Sequence, residues 1–267
     1  MCAAFKIYNA TELWQRENSV PSVPSFSQSL DNILGHNGLR LCSLTEVLGL
    51  PGTGKTQLCL QLCASIQIPT VLGGLNSEAL YIDTNTNFTV ERFREILRAS
   101  ISRCQQLLDI PFKTREEDAL KKLHYVNALG IEKFCAFILR LPKIIEEKSN
   151  VKLIVIDSIP FPFKEGVSAR QRTGLLFRLM ADLQRLAVDK QIAVLLTNEM
   201  STRVGLSSGS VVGALGDAWA HRCNTRVLLA ADPADPAARL AVLLKSPNTP
   251  GCVTRFQITH DGIRDVQ

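Results

Sequence analysis

Between residues 45 and 197 the chain alternates two kinds of apolar spacing. Short, nearly continuous runs of aliphatic and β-branched residues lie at 45–49, 79–83, 125–128, 151–157 and 192–197. The first four are each followed by a longer stretch, 57–66, 90–108, 131–148 or 172–188, in which apolar residues recur three and four apart. Runs of strand length followed by amphipathic helical stretches predict β-α crossovers on a parallel sheet, because a strand covered by helices on both faces has no polar face. After Trp219 the helical spacing stops. Runs at 225–230, 239–245 and 253–259 follow one another across turns at Asp232-Pro-Ala-Asp-Pro236 and Asn248-Thr-Pro-Gly251, which predicts an antiparallel edge closing the domain. At the other end, a short helical pattern at 10–16 precedes Ser19-Val-Pro-Ser-Val-Pro-Ser25, a proline- and serine-rich stretch. The expected organisation is a helical segment and linker at 1–25 and one α/β domain, mostly parallel in its sheet, at 26–267. No internal repeat is visible.

Composition agrees with a packed domain and narrows its chemistry little. With 267 residues, 46% hydrophobic and 21% charged, the chain can bury a substantial core and does not read as disordered. Its net charge of +5 permits an anionic partner without requiring one. No apolar run approaches the roughly 20 residues of a membrane span, and residues 1–10 lack the basic start and apolar core of a signal peptide. An intracellular, soluble protein with no membrane partner is expected. The eight cysteines are scattered, with no C-x-x-C and only four histidines, so reduced core thiols are favoured over disulfides or a metal site. Cys59 and Cys63, one helical turn apart, would suit a metal edge; packing against the sheet is the favoured reading.

One segment changes the picture. Gly49-Leu50-Pro51-Gly52-Thr53-Gly54-Lys55-Thr56 is a complete G-x-x-x-x-G-K-T phosphate loop between a strand-like run and a helical stretch. Its glycines let successive N–H groups turn inward around phosphates, Lys55 reaches the distal oxygens, and the Thr56 hydroxyl ligates Mg²⁺. Such a string arises by chance in roughly one chain in a hundred of this length, so its placement is what makes it persuasive. ATP and Mg²⁺ are therefore the expected cofactors. About a hundred residues later, Lys152-Leu-Ile-Val-Ile-Asp157 delivers an acid to the end of a buried strand, where a carboxylate can hold Mg²⁺-bound water beside Thr56. Asp83 also ends a strand and competes for that role; spacing and the residues that follow favour Asp157.

A family resemblance covers nearly the whole chain. Phe26-x-x-x-Leu30-Asp31-x-x-Leu34-Gly35, Thr45-Glu46, the phosphate loop with Gln57-Leu58, Tyr81-Ile82-Asp83-Thr84, Val90-Glu91-Arg92 and Thr197-Asn198 resemble the ATPase core of RecA-like strand-exchange recombinases. Gln67-Ile-Pro69, Phe161-Pro-Phe163, Met200-Ser-Thr202, Ala214-Leu-Gly-Asp-Ala-Trp219, Lys245-Ser-Pro247 and Phe256-Gln-Ile258 are similar to the eukaryotic paralogues of the Rad fifty-one recombinase, of the C type. The resemblance implies a RecA-like core with nucleotide at an interface between protomers. It implies two DNA-approaching loops, one at 160–171 carrying Lys164, Arg170 and Arg172, the other at 201–213 with Arg203. A solvated surface loop fits the second composition equally well, and no aromatics interleave with these bases to stack on DNA bases.

Departures from the family pattern carry their own expectations. Asn85 stands where the resemblance implies the glutamate that activates water; an amide cannot accept a proton at neutral pH, and losing a general base typically costs about a hundredfold to ten-thousandfold. Hydrolysis should be slow or absent unless Glu78 or Glu91 substitutes. Thr86 replaces the glycine that follows, so a differently shaped loop is expected. Glu199 stands at the γ-phosphate sensor position, where an anion is repelled unless a cation intervenes. Lys245 is either a cation facing a neighbour's nucleotide or an exposed lysine. The family's N-terminal helix-hairpin-helix domain and its Phe-x-x-Ala docking strand are not seen, which implies weaker duplex binding and no long self-filaments. The expected function is mediation of homologous recombination: a subunit in a hetero-oligomer with other recombinase paralogues that supports the main recombinase on single-stranded DNA in break repair, mitotic or meiotic, in the nucleus and also the cytoplasm. The alternatives are an autonomous DNA-dependent ATPase catalysing strand exchange and a small-molecule kinase; the latter needs a lid and an acceptor pocket that the sequence does not display.

Overall fold

The expected alternation of strands and helices is borne out in a computed structural model, which describes residues 6–35, 37–107, 115–164, 166–202 and 211–266. In chain order the elements are α1 (Ala10–Asn18), β1 (Ser22–Val23), α2 (Gln28–Gly35), β2 (Leu39–Arg40), β3 (Ser43–Gly49), α3 (Lys55–Ser65), β4 (Glu78–Asp83), α4 (Val90–Leu107), α5 (Glu116–Leu120), β5 (Leu123–Asn127), α6 (Ile131–Glu147), β6 (Val151–Asp157), α7 (Ala169–Lys190), β7 (Ala193–Asn198), β8 (Met200–Thr202), β9 (Val211–Gly213), α8 (Gly216–Ala220), β10 (Thr225–Ala231), β11 (Ala238–Lys245), β12 (Val253–Thr259) and β13 (Gly262–Asp265). The nine-stranded sheet runs β13-β12-β11-β10-β3-β7-β6-β4-β5. The six strands from β10 to β5 are parallel, and β11, β12 and β13 add antiparallel. The run at 225–230 was expected in the antiparallel edge; it pairs parallel to β3, and the reversal of direction begins only at β11. The last strand, β13, follows a turn too short to separate from β12 by pattern alone.

Side-chain alternation divides the core in two. Leu153 and Val155 of β6 join the cluster under α3 and α4, whereas Ile154 and Ile156 join the one under α6 and α7. Helix α3 is buried on nearly all sides between the sheet, α4 and β13, so its amphipathic pattern is weak. Cys59 and Cys63 lie wholly inside this core, and burial pushes both thiols well above their usual pKa. All seven cysteines of the described residues are free.

Within residues 19–25, read from composition as linker, Val23 and Ser25 are packed into the domain. β1 pairs antiparallel with β2, Val23 and Ser25 are fully buried, and the Ser25 N–H donates to Asp31 Oδ1 at 2.7 Å. Proline and serine report the need for turns there, and burial is decided by what α2 leaves open. Ahead of it, α1 is capped by a reciprocal Asn9–Glu12 pair and buries none of its residues. No helix of the described residues is long and apolar enough to cross a membrane.

Candidate nucleotide site

Strand β3 ends and α3 begins at the glycine-rich turn. Gly49 cannot be replaced without collision, since a Cβ there would lie 2.4 Å from the Leu229 carbonyl oxygen of β10. Gly54, at φ +101°, precedes α3 and offers no side-chain cap, so the first-turn N–H groups of this helix depend on an external acceptor. Gly54, Lys55, Thr56 and Gln57 line a cleft of about 490 Å³ whose opposite wall holds Asn85, Asp157 and Glu199. Within the turn, Thr53 Oγ1 donates to the Leu50 carbonyl at 2.8 Å; Leu50 and Pro51 are carried on its outer rim, and Gly52 takes φ +80°. Lys55 Nζ donates to the Gly49 and Leu50 carbonyls at 2.8 and 3.0 Å. Burial draws its pKa below the usual lysine value, opposed by the negative charges of Asp157 and Glu199. A half-buried cation at an uncapped helix N-terminus makes the local field favourable to an anion.

Asp157 ends β6 directly across from that helix. Thr56 Oγ1 donates to its Oδ2 at 2.7 Å, as does the Tyr81 hydroxyl at 2.7 Å, while Thr197 Oγ1 donates to Oδ1 at 2.5 Å. The carboxylate is thus oriented from β4 and β7 as well as from α3. Beside it, the Ser158 hydroxyl is buried without a partner and lines the same cleft. These donors fit a magnesium-bound phosphate: one carboxylate and one hydroxyl leave most of the coordination shell to phosphate oxygens and water. Among the described residues no group of three or more His, Cys, Asp or Glu side chains is placed to hold a metal by protein ligands alone. Asp83, the competing acid, is engaged elsewhere. It accepts from the N–H groups of Asn85 (3.0 Å), Asn87 (3.4 Å) and Phe88 (3.1 Å) and from the Tyr125 hydroxyl (3.2 Å), which folds the turn after β4.

Asn85 lies in the cleft wall, as its sequence position requires. Thr86 takes φ +53°, the left-handed backbone easiest for glycine, so this part of the turn accepts that backbone at some strain instead of avoiding it. Neither acid considered as a substitute base reaches the cleft lining. Glu78 is at the opposite end of β4, bonded to His124 and Asn150, and Glu91 opens α4 against Arg94. Glu199 does line the cleft, and its carboxylate is ion-paired with Lys164 at 2.8 Å.

The DNA-loop readings fare unevenly. The stretch 160–171 is helical at both ends: a 3-10 turn spans Phe161–Phe163, and Ser168 caps α7, which begins three residues before the expected helix start. Arg170 and Arg172 therefore sit on the first turn of α7, not in a loop, because the reciprocal Ser168–Gln171 cap starts the helix early. Arg203 lies outside the described residues. Lys245 is half-buried, and its Nζ donates to the His221 and Cys223 carbonyls at 2.9 and 2.8 Å.

Sequence reasoning missed Tyr81 and Thr197 as the supports of Asp157, and it passed over Glu46 except as a motif residue. Glu46 is fully buried on β3 and accepts from Asn198 Nδ2 (2.6 Å), Trp219 Nε1 (2.8 Å) and the Arg226 guanidinium. The available signal was an acid inside an otherwise apolar strand, which demands buried partners.

Comparison with known proteins agrees with the fold. The family model described as Rad51 matches residues 15–266. DNA repair protein RAD51 homolog 3 of Cricetulus griseus is 35% identical over 273 residues, 98% of this chain and 73% of the relative. The protein of the same name in Dictyostelium discoideum is 31% identical, covering 92% of this chain and 66% of that relative. DNA repair and recombination protein RadA of Metallosphaera sedula is 30% identical, over 97% of this chain and 76% of its own length. With an α/β core of RecA-like architecture, a phosphate-loop turn opposite Asp157 and a family match over nearly its full length, the chain belongs to the Rad51 family of RecA-like recombinases and is similar to its homolog 3 paralogues.

Proposed function

We propose that this chain binds ATP and Mg²⁺ and serves in homologous recombination repair of DNA double-strand breaks as a subunit of a hetero-oligomer of recombinase paralogues. In that assembly it supports loading of the main strand-exchange recombinase on single-stranded DNA, in mitotic cells, in meiosis or in both, with the nucleus as its site of action. The observation that carries the reading is the 2.7 Å bond from Thr56 Oγ1 to Asp157 at the uncapped start of α3, since two residues a hundred positions apart meet where a magnesium-bound phosphate would sit. The names of the relatives support the setting in DNA repair. When bound, magnesium neutralises phosphate charge. Lys55 and the first-turn N–H groups of α3 hold the phosphates, and Tyr81 and Thr197 keep Asp157 aimed at the metal side.

In this reading nucleotide acts chiefly as interface cement, because a ligand bound only to the assembled state stabilises it whether or not it is cleaved. Co-purification of the chain with candidate recombinase-family partners, with and without Mg²⁺ and ATP, tests this directly. Partner recovery that rises with nucleotide supports it; recovery indifferent to nucleotide removes the cement role. Turnover on single-stranded DNA comparable to that of an active recombinase would instead mark the chain as an autonomous ATPase.

Asn85→Glu is expected to raise phosphate release about tenfold or more, since it returns a proton acceptor to a wall that already faces Thr56 and Asp157. Colorimetric phosphate assay on the assembled complex measures it. No gain would place the defect outside position 85, with Glu199 the first residue to examine.

A further inference from the structure

The acids that end β4 and β6 are each held by a tyrosine in the same relative place. Asp83 and Asp157 are register partners across this parallel pair. Tyr81, whose register partner on β6 is Val155, donates from its hydroxyl to Asp157 Oδ2 at 2.7 Å, two residues beyond that partner. Tyr125, whose register partner on β4 is Tyr81, donates to Asp83 Oδ2 at 3.2 Å, again two residues beyond. Residues two apart on a strand share a face, so the two bonds repeat one diagonal, displaced outward by a strand. The Phe88 ring packs against both tyrosines, its centroid 5.0 Å from Tyr81 and 4.9 Å from Tyr125. Tyr81 is fully buried, whereas Tyr125 stands on β5, the outermost strand at that edge of the sheet, and is 43% exposed. Burial and the neighbouring Asp83 charge raise the Tyr125 pKa above the usual tyrosine value, so the hydroxyl keeps its proton and stays a donor.

What Asp83 holds in turn belongs to the cleft. Its Oδ1 accepts from the N–H groups of Asn85 and Asn87, both of which line the cleft, and its Oδ2 accepts from that of Phe88. Thr84 Oγ1 ties the start of this turn to the Ser158 backbone, accepting from its N–H at 2.8 Å and donating to its carbonyl at 2.6 Å. Beyond Thr84 the shape of the turn depends on Asp83. We propose that Tyr125 is a positioning residue of the nucleotide site: by fixing the Asp83 carboxylate it sets the turn that presents Asn85 and Asn87 to a bound triphosphate. The proposal rests on the nucleotide-binding reading above. Tyr81 then serves the metal side through Asp157, and Tyr125 serves the facing wall through Asp83. A diphosphate held by the glycine turn and the first-turn N–H groups of α3 reaches that wall less than a triphosphate does. Water at the half-exposed Tyr125 replaces a lost hydroxyl in part, which keeps the effect moderate.

The test is calorimetric titration of adenylyl imidodiphosphate and of ADP, each with Mg²⁺, into the full chain or its paralogue complex. Tyr125→Phe keeps the ring and its packing against Phe88. It is expected to weaken binding of the triphosphate analogue about three- to tenfold, leaving ADP within about twofold and the melting temperature within about 4 °C. Without nucleotide, the amides of Asn85, Asn87 and Phe88 exchange hydrogen faster by a similar factor, and those of α3 do not. Mg²⁺ titration separates the two tyrosines, because Tyr81→Phe raises the Mg²⁺ concentration needed for half-maximal analogue binding and Tyr125→Phe leaves it unchanged. Tyr8→Phe, in the exposed segment ahead of α1, alters none of these. Equal losses of analogue and ADP, unaltered amide exchange at the turn, or a Tyr125→Phe shift in the Mg²⁺ requirement would each overturn the role. Should Tyr81→Phe fail to fold, the analogue-to-ADP ratio and the amide exchange of Tyr125→Phe decide by themselves. A wild-type chain that binds neither nucleotide removes the nucleotide reading and this proposal together, whereas analogue binding indifferent to Tyr125→Phe removes the proposal alone.

Discussion

Lys55→Ala is expected to weaken Mg²⁺–ATP binding by about a hundredfold or more and to reduce association with partner paralogues in parallel. Among the described residues Lys55 Nζ has only the carbonyls of Gly49 and Leu50 as hydrogen-bond partners, and it sits half-buried near the charge of Asp157. A charge-assisted bond to phosphate contributes about 1.5–3 kcal/mol. The ammonium would make more than one such bond, which sets the hundredfold scale. Folding should change little, because the remaining turn is held by Thr53 and by the packing of α3. Equilibrium binding of a fluorescent ATP analogue measures the first effect, and co-elution with partners on size-exclusion chromatography measures the second. Loss of nucleotide binding with an unchanged complex would separate the two and remove ATP from the interface.

Glu46→Ala is expected to destabilise the fold by about 3 kcal/mol or more, although Glu46 does not itself line the cleft. Arg226 is the register partner of Glu46 across the parallel β3/β10 pair, so the ion pair is built into the sheet. Removing the acid leaves the Arg226, Trp219 and Asn198 donors without their acceptor in a buried setting. Breaking a buried pair by deleting one partner typically costs about 3–5 kcal/mol. For a chain of this size that corresponds to a fall in melting temperature of about 10 °C. Thermal melting followed by circular dichroism reads it directly. Replacing Glu46 and Arg226 together should recover part of the loss, since the uncompensated charge disappears. A shift of less than about 2 °C in Glu46→Ala would mean that water or a relaxed backbone satisfies the orphaned donors. Asn198 immediately precedes Glu199, so this network also fixes the end of β7 from which the cleft acid projects.

The parts of the site legible in the sequence are those whose chemistry requires a local string. The turn at 49–56 needs its glycines, lysine and threonine in one continuous order, and Asp157 needs an apolar strand to carry it. Both were readable because the backbone conformation and the ligand chemistry impose the same residues on neighbouring positions. Asn85 was readable for the same reason, as a departure at one place in such a string. Helix α7 was misjudged at its start because the capping pair Ser168 and Gln171 is weaker in pattern than the apolar periodicity that begins at 172.

Apolar spacing was enough to establish an α/β domain with a parallel centre and an antiparallel end, since a period of two or of 3.6 is a property of each segment alone. Which strand lies beside which is a property of pairs of segments, and no single segment encodes it. That is why the placement of β10 beside β3, the burial of 22–25, the Tyr81 and Thr197 bonds to Asp157, and the Lys164–Glu199 pair emerged only from the folded chain. Each joins residues far apart in sequence, where the energy of contact depends on geometry that the whole sheet supplies.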